Sequence, residues 1–235
     1  GVTWRLARQL VAEHGLGVRL WVDELAAFTR LCPQADAQAA RQVLDGVEVC
    51  HWSSDWTPVE PGEVVIEAFA CELPSPYIQH MTANKPTWLN LEYLSAENWV
   101  EGFHAQHSVN AATGLRKTFF FPGFTDKTGG LIREQSLRTV REAAKAKMTV
   151  LPSLQVSLFC YPHAPIHSLL KAMEEGAQPV ECFVPKGSYL EKVAAFFGVD
   201  QIEVGDILQK GQLKIIVLPF LTQDEYDQLL WCCNL

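Results

Sequence analysis

The sequence has no long hydrophobic run and no stretch with the pattern of a secretory signal. No window approaches the roughly 18 consecutive apolar residues of a membrane-spanning helix, and no charged region followed by an apolar one opens the chain, as a secretory signal would. With 48% hydrophobic and 20% charged residues, the composition is that of an ordinary globular protein. We therefore expect a cytoplasmic protein with no membrane partner.

Basic residues are also scarce. The chain has 19 Lys and Arg against 27 Asp and Glu, and its formal net charge is −8. Nucleic-acid binding requires clustered Lys and Arg to neutralise phosphates, and no such cluster is present. We expect no nucleic-acid partner, and an anionic ligand would have to be held locally by backbone amides or a helix N-terminus.

Metal-ligand patterns are missing as well. The seven cysteines are odd in number, scattered and without a C-x-x-C pair, which favours reduced thiols packed as small hydrophobic residues over disulfides or a zinc site. His104 and His107, and likewise His163 and His167, have spacings that a metal could use. No carboxylate or thiol stands in register with either pair, so we expect no metal cofactor.

The common catalytic signatures are absent too. The sequence contains no G-x-G-x-x-G, P-loop, G-x-S-x-G or H-E-x-x-H motif. These absences remove the usual dinucleotide, NTPase, hydrolase and metalloprotease templates.

What the chain does have is a regular alternation of short apolar strands and helices. Such near-continuous apolar strands indicate an α/β fold with parallel sheets covered on both faces. The alternation starts afresh at an apolar run that stops before Pro162, which predicts two doubly wound units with a boundary near residue 150. Residues 98–130 are interpreted as loop-rich, and residues 131–148 as an exposed helix. The predicted strands are 18–22, 47–49, 64–66, 87–91, 154–160, 180–184 and 213–218.

Acidic residues close three of the predicted strands. Asp23, Glu67 and Glu92 each stand at a strand's carboxyl end, where α/β proteins bind ligands. The plainer interpretation is that they cap helices or begin turns. Glu92 is the strongest candidate because several polar residues follow it in the same loop.

Aromatic residues stand at two strand-to-helix junctions of the second unit. Phe159 and Tyr161 follow one strand, and Phe220 follows another. Thr222 is a good N-cap for the last helix, with Glu225 as its capping-box partner. Aromatic rings at such a junction can stack a base, and a helix N-terminus receives phosphate. This layout indicates a nucleotide-sugar transferase with its site between two domains.

Five segments of the chain are distinctive in combination: Gly1–Arg8, Val65–Cys71, Leu89–Glu97, Gly129–Glu134 and Asp227–Leu230. Together they resemble the bacterial protein-arginine rhamnosyltransferases that modify elongation factor P, the EarP family. The resemblance runs from Gly1 to Leu235. It implies a GT-B architecture of two Rossmann-like domains, with residues 1–150 on the acceptor side and residues 151–235 beginning the nucleotide-sugar domain. The first strand of the acceptor-side domain and the end of the nucleotide-sugar domain are expected outside this chain.

The resemblance also implies an activity and its residues. The reaction would be an inverting transfer of rhamnose from dTDP-β-L-rhamnose to one arginine of elongation factor P, without a metal or other cofactor. Glu67 and Glu92 are hypotheses for acceptor-side contacts. The family's catalytic aspartates precede Gly1, so no catalytic residue is expected within this chain, which should be inactive alone. The residues implied for donor binding are Gly1, Phe159, Tyr161, Phe220, Leu221, Thr222 and Gln223.

Two other functions remain open from the sequence. A GT-B-like scaffold could bind a partner protein without catalysis, and retained dTDP affinity without transfer would identify it. Alternatively, the chain could belong to another nucleotide-sugar enzyme, such as an epimerase or a small-molecule glycosyltransferase. Competition among dTDP, UDP and GDP sugars would distinguish that case.

Overall fold

The computed structural model describes residues 1–53, 59–146 and 152–235. These residues form a mixed α/β structure with three sheets flanked by helices. The helices are α1 Val2–His14, α2 Leu25–Leu31, α3 Ser75–Asn84, α4 Val100–Phe103, α5 Leu137–Ala146, α6 Ile166–Glu174, α7 Leu190–Phe197 and α8 Gln223–Cys232. The strands are β1 Arg19–Val22, β2 Arg41–Leu44, β3 Val47–His51, β4 Val64–Ala68, β5 Thr87–Leu91, β6 His107–Val109, β7 Arg116–Phe120, β8 Leu154–Ser157, β9 Val180–Pro185, β10 Ile207–Lys210 and β11 Leu213–Leu218.

The chain divides into two compact units. One, here the N-terminal unit, comprises Val2–Glu24 and Ala39–Glu134, and the other, the C-terminal unit, comprises Leu25–Gln38 and Gln135–Leu235 together with Gly1. None of the helices in the described part of the chain has the length and apolar character needed to cross a membrane.

The N-terminal unit contains two sheets. In the first, β1 pairs in parallel with β3, and β2 pairs antiparallel with β3 through a tight turn at Asp45 and Gly46. Helix α1 packs on this sheet with Trp4 and Ala7 buried. In the second, of order β4-β5-β7-β6, the first three strands are parallel and β6 is an antiparallel edge. Trp88 and Met81 lie in its core.

The C-terminal unit is built on one sheet of order β10-β11-β9-β8. Strands β11, β9 and β8 are mutually parallel, and β10 is an antiparallel edge. Beyond β8, the backbone amide of Asn234 donates to the Gln155 carbonyl at 2.7 Å, and the amide of Ser157 donates to the Leu235 carbonyl at 3.0 Å. The chain after α8 therefore returns to the side of β8 opposite β9, as in doubly wound sheets.

The seven strands expected from the sequence are present, although the strand expected at 154–160 ends at Ser157. The expectation of purely parallel sheets is wrong, because β2, β6 and β10 are antiparallel edge strands. The loop prediction for 98–130 is wrong for β6, β7 and α4. The exposed helix expected at 131–148 is shorter, since α5 begins at Leu137, and residues 147–148 lie outside the described residues.

All seven cysteines lie in the described ranges, and all are free thiols. Cys182 is completely buried, and burial raises the pKa of its thiol to about 12. Burial also raises the pKa of Cys233 to about 11. Cys71, in contrast, is exposed on the loop after β4.

Candidate functional site

Three strand-to-helix junctions meet at one edge of the C-terminal sheet. Because β8, β9 and β11 are parallel, their carboxyl ends point the same way, and each feeds a helix there: α6, α7 and α8 respectively. Strand order reverses at β8, since β9 lies on one side of it and Asn234–Leu235 on the other. Ligands of open α/β sheets bind at such a reversal, outside the carboxyl ends of the strands.

Phe159 and Tyr161 lie at this edge with their rings open to solvent. Phe159 and Tyr161 are 70% and 71% exposed to solvent, which is unusual for residues with large aromatic side chains. The Phe159 ring centroid lies 6.5 Å from that of Tyr189 and 6.3 Å from that of Tyr226, both in edge-to-face geometry. Tyr161 is stacked on His163, with centroids 5.8 Å apart. The contacts from Tyr189 and Tyr226 support Phe159 from behind while leaving it accessible.

Tyr189 is the aromatic residue that packs against the inner side of Phe159. It is buried, and its hydroxyl donates to the Pro185 carbonyl at 2.7 Å. Burial raises the pKa of its hydroxyl to about 12, so it stays protonated and keeps this hydrogen bond. A Cβ on Gly187 would lie only 2.6 Å from the Tyr189 ring, so the close packing of this junction requires glycine.

The junction after β11 supplies the second group of expected donor residues. Phe220 is half exposed, and Leu221, Thr222 and Gln223 are partly buried. The expected capping box is confirmed: the Thr222 hydroxyl accepts from the Glu225 amide, and the Glu225 carboxylate accepts from the Thr222 amide at 2.8 Å. The Thr222 hydroxyl also donates to the Glu225 carboxylate. Those bonds occupy the Thr222 hydroxyl.

Two buried oxygen atoms at this edge have no hydrogen-bond partner among the described residues. They are Oε1 of Gln223, at the start of α8, and Oγ of Ser157, at the end of β8. Buried polar atoms are normally satisfied, so each is available to a ligand or a water molecule. Sequence reasoning missed Ser157, because a serine at the end of an apolar strand carries no signal of its own.

The structure places Glu67 inside β4 rather than after it. Glu67 is 2% exposed, and the sequence interpretation that β4 closes on it is wrong because pairing with β5 continues to Ala68. Its carboxylate accepts hydrogen bonds from Trp88 Nε1 at 3.1 Å, Lys117 Nζ at 3.1 Å and the backbone amide of Glu72 at 3.2 Å. Lys117, unnoticed in the sequence, neutralises this buried charge from β7.

Glu92 directly follows β5, as expected from the sequence. Oε1 of its carboxylate accepts a hydrogen bond from Nδ2 of Asn90 at 2.5 Å. Asn90 is completely buried beside Glu67 in the β4–β5 register, and its Oδ1 has no partner among the described residues. The carboxylate is thus oriented at the carboxyl edge of the sheet by a fixed amide.

Two of the expected residues, Asp23 and Gly1, remain to be placed. The Asp23 carboxylate accepts the backbone amide of Glu24, a local turn contact that fits the plainer interpretation. Gly1 directly precedes α1, with open space where a Cβ would lie. In residues 1–53, 59–146 and 152–235, no three His, Cys, Asp or Glu side chains cluster as a metal site would require.

Comparison with known proteins decides the family. Residues 1–235 match the family model described as Elongation-Factor P (EF-P) rhamnosyltransferase EarP. The chain belongs to the EarP family. Its relatives include the protein-arginine rhamnosyltransferases of Pseudomonas putida, 51% identical, and Pseudomonas aeruginosa, 49% identical. Each match covers 100% of this chain and 66% of the relative, so the chain spans slightly less than two thirds of their length.

A solved structure of an EarP-family chain has a similar fold. It concerns EarP-mediated arginine glycosylation of translation elongation factor EF-P, and it matches with a TM-score of 0.57 and 34% identity. The match covers 100% of this chain and 60% of that one. The fold and the family thus agree over all 235 residues, and the predicted resemblance to the EarP family is confirmed.

Proposed function

We propose that this chain is part of an inverting glycosyltransferase of GT-B architecture that transfers rhamnose from dTDP-β-L-rhamnose to an arginine of elongation factor P. The observation that carries the proposal is the family match over residues 1–235, at 51% identity to a protein-arginine rhamnosyltransferase. An elongation factor as acceptor also supports a cytoplasmic location. No metal or other cofactor is part of the proposal.

The C-terminal unit would bind the donor nucleotide. The exposed ring of Phe159, supported by Tyr189 and Tyr226, offers a surface on which thymine can stack, and base stacking on an aromatic ring is worth roughly 1–3 kcal/mol. The unpartnered Oε1 of Gln223 is an acceptor suited to the N3–H of thymine. Tyr161, Phe220, Leu221 and Thr222 complete the proposed donor site, and Gly1 would lie near the sugar.

The N-terminal unit would bind the acceptor. A guanidinium with a pKa above about 12 is protonated at neutral pH and is then a poor nucleophile, so carboxylates must orient it and favour loss of a proton as its nitrogen attacks the anomeric carbon. Glu92, oriented by Asn90, is our candidate for a direct acceptor contact. We propose no catalytic residue within residues 1–235.

The test is a domain exchange. Residues 1–235 would replace the matching part of the Pseudomonas putida relative, and elongation factor P would be incubated with dTDP-rhamnose and either this chimera or the isolated chain. Intact-mass spectrometry should show one deoxyhexose added to elongation factor P by the chimera and none by the isolated chain. The unaltered relative serves as the positive control.

Other outcomes would select the alternatives. A folded chimera that binds dTDP without transferring rhamnose would contradict the proposal and favour a protein-binding module. Equal competition by UDP and GDP sugars would favour another nucleotide-sugar enzyme. Replacing Glu92 by Gln in the chimera should raise the KM for elongation factor P; unchanged transfer kinetics would remove Glu92 from the proposed site.

A further inference from the structure

The segment that follows β4, residues 69–72, has an unusual backbone. Phe69, Ala70 and Glu72 have φ angles of 57°, 53° and 55°, in the left-handed region that side chains disfavour. Conformations of this kind persist only where the surrounding structure holds them, and they concentrate at ligand-binding and catalytic sites. Three of them within four residues, none at glycine, call for a specific restraint.

The restraint comes from both ends of the segment. At one end, the Phe69 amide donates to the Leu91 carbonyl at 2.7 Å, and the Phe69 ring stacks on Tyr93 with centroids 4.2 Å apart. At the other end, the Glu72 amide donates to Oε1 of Glu67 at 3.2 Å. Leu91 and Tyr93 flank Glu92, so the strained segment is tied to the strand end that presents Glu92.

A buried glutamate such as Glu67 is not expected where a side chain serves stability alone. Burying its carboxylate at 2% exposure requires Lys117 as a counter-charge and Trp88 as a further donor. An apolar residue of similar size in such a place is often neutral or stabilising, so a buried ion pair is weak evidence for stability. What the carboxylate supplies is an acceptor at a fixed position for the Glu72 amide.

We propose that Glu67 is a positioning residue for the acceptor protein. It does not touch the acceptor arginine, because it is buried. It holds segment 69–72 and the Phe69–Tyr93 stack in one conformation beside Glu92, so that the acceptor chain meets a surface that needs no further ordering. This inference rests on the proposed function, since it takes the acceptor to bind at this edge.

The first test replaces Glu67 by Gln, which keeps the shape but leaves one acceptor oxygen. That oxygen should stay with Lys117 and Trp88, which both donate to Oε2 of Glu67, so the NH₂ group faces the Glu72 amide and removes its acceptor. Amide hydrogen exchange in the 235-residue chain should become at least about tenfold faster at residues 69–72. In the Pseudomonas putida chimera, the KM for elongation factor P should rise about tenfold, with kcat and the KM for dTDP-rhamnose changed less than about twofold. Glu101→Gln, at the surface pair with Lys127, is the matched control.

The second variant, Ala70→Gly, separates positioning from stability. Glycine adopts the φ of 53° without penalty, so the variant should melt no lower than the unaltered chain. Its segment is nevertheless more flexible, and the KM for elongation factor P should rise by at least about threefold. A structural role alone predicts no change in KM for this variant.

The outcomes distinguish the two claims. Unchanged exchange at residues 69–72 in Glu67→Gln would refute Glu67 as the anchor, whatever the activity. Faster exchange with an unchanged KM for elongation factor P, or with equal losses toward donor and acceptor, would refute the positioning role. A wild-type chimera that folds but transfers no rhamnose would refute the proposed function itself, and the acceptor role with it.

Discussion

Replacing Lys117 by Met should destabilise the N-terminal unit far more than an ordinary surface Lys→Met change. Lys117 Nζ lies 3.1 Å from the Glu67 carboxylate, which is 2% exposed, whereas the Lys117 side chain itself is 22% exposed. Methionine preserves most of the apolar packing of the lysine stem. What it removes is the positive charge, which leaves Glu67 with two hydrogen bonds and no counter-ion.

The magnitude follows from this burial. Removing one partner of a buried ion pair costs about 3–5 kcal/mol, and the partial exposure of Lys117 lets water reach the site, so we expect about 3 kcal/mol. In a chain of this size, that loss corresponds to a fall in Tm of about 6–12 °C. A further small loss is expected because Lys117 also lies 5.0 Å from the centroid of the Trp88 ring.

Thermal unfolding followed by calorimetry and by tryptophan fluorescence measures this effect. Lys127→Met is the matched control, because Lys127 is 71% exposed and its pair with Glu101 lies at the surface. It should leave Tm within experimental error. The double variant Glu67→Gln/Lys117→Met should recover part of the loss, since no charge is then left unpaired. Equal Tm values for Lys117→Met and Lys127→Met would refute the reasoning.

Three further predictions concern other parts of the molecule. Phe159→Ala should weaken dTDP binding, measured by calorimetry, by roughly 5- to 150-fold. The control Val199→Ala, after α7 at the opposite edge, should not weaken it. Equal dTDP affinities of the two variants would exclude stacking. Hydrogen bonds from Arg5 lower the pKa of the Glu134 carboxyl in the folded protein. The pair therefore stabilises the fold fully above the unfolded-state pKa of Glu134. This stabilisation is lost as the pH falls through the lower folded-state pKa. Glu134→Gln should therefore melt a few degrees lower than the unaltered chain at pH 7, with a gap that closes in acid; a gap independent of pH would contradict this. Gly187→Ala should cost about 1–3 kcal/mol of unfolding free energy through its clash with Tyr189, and Gly17→Ala, in open space, should cost distinctly less.

The apolar strands were predictable because each is a short run bounded by turn residues. The hairpin of β2 and β3 carried a signal that was overlooked: Asp45-Gly46 is a preferred two-residue turn, and both residues have positive φ. Strands β6 and β10 could not be predicted from apolar alternation. They are edge strands of three and four residues whose side chains are mostly exposed, and pairing with β7 and β11 creates them.

The candidate site was predictable only in part. The exposed aromatic residues after β8 and β11 follow from strand ends, and Glu92 follows from the end of β5. The partners of Glu67 could not be found in the same way, because Lys117 is 50 residues away and contacts it only after β4, β5 and β7 have paired. The strained segment 69–72 contains no glycine or asparagine, the residues that would have indicated positive φ angles in the sequence.

The distribution of thiols gives this protein a built-in labelling position. At pH 8 the thiolate fractions of Cys182 and Cys233, with pKa values of about 12 and about 11, are very small. Cys71 is the exposed thiol among the seven, and it lies within segment 69–72. Partial burial of its sulfur raises its pKa as well, so its advantage over the other thiols is accessibility. A maleimide fluorophore should therefore attach there first, without any engineered cysteine. Its emission would then report in real time when a partner reaches the strained segment.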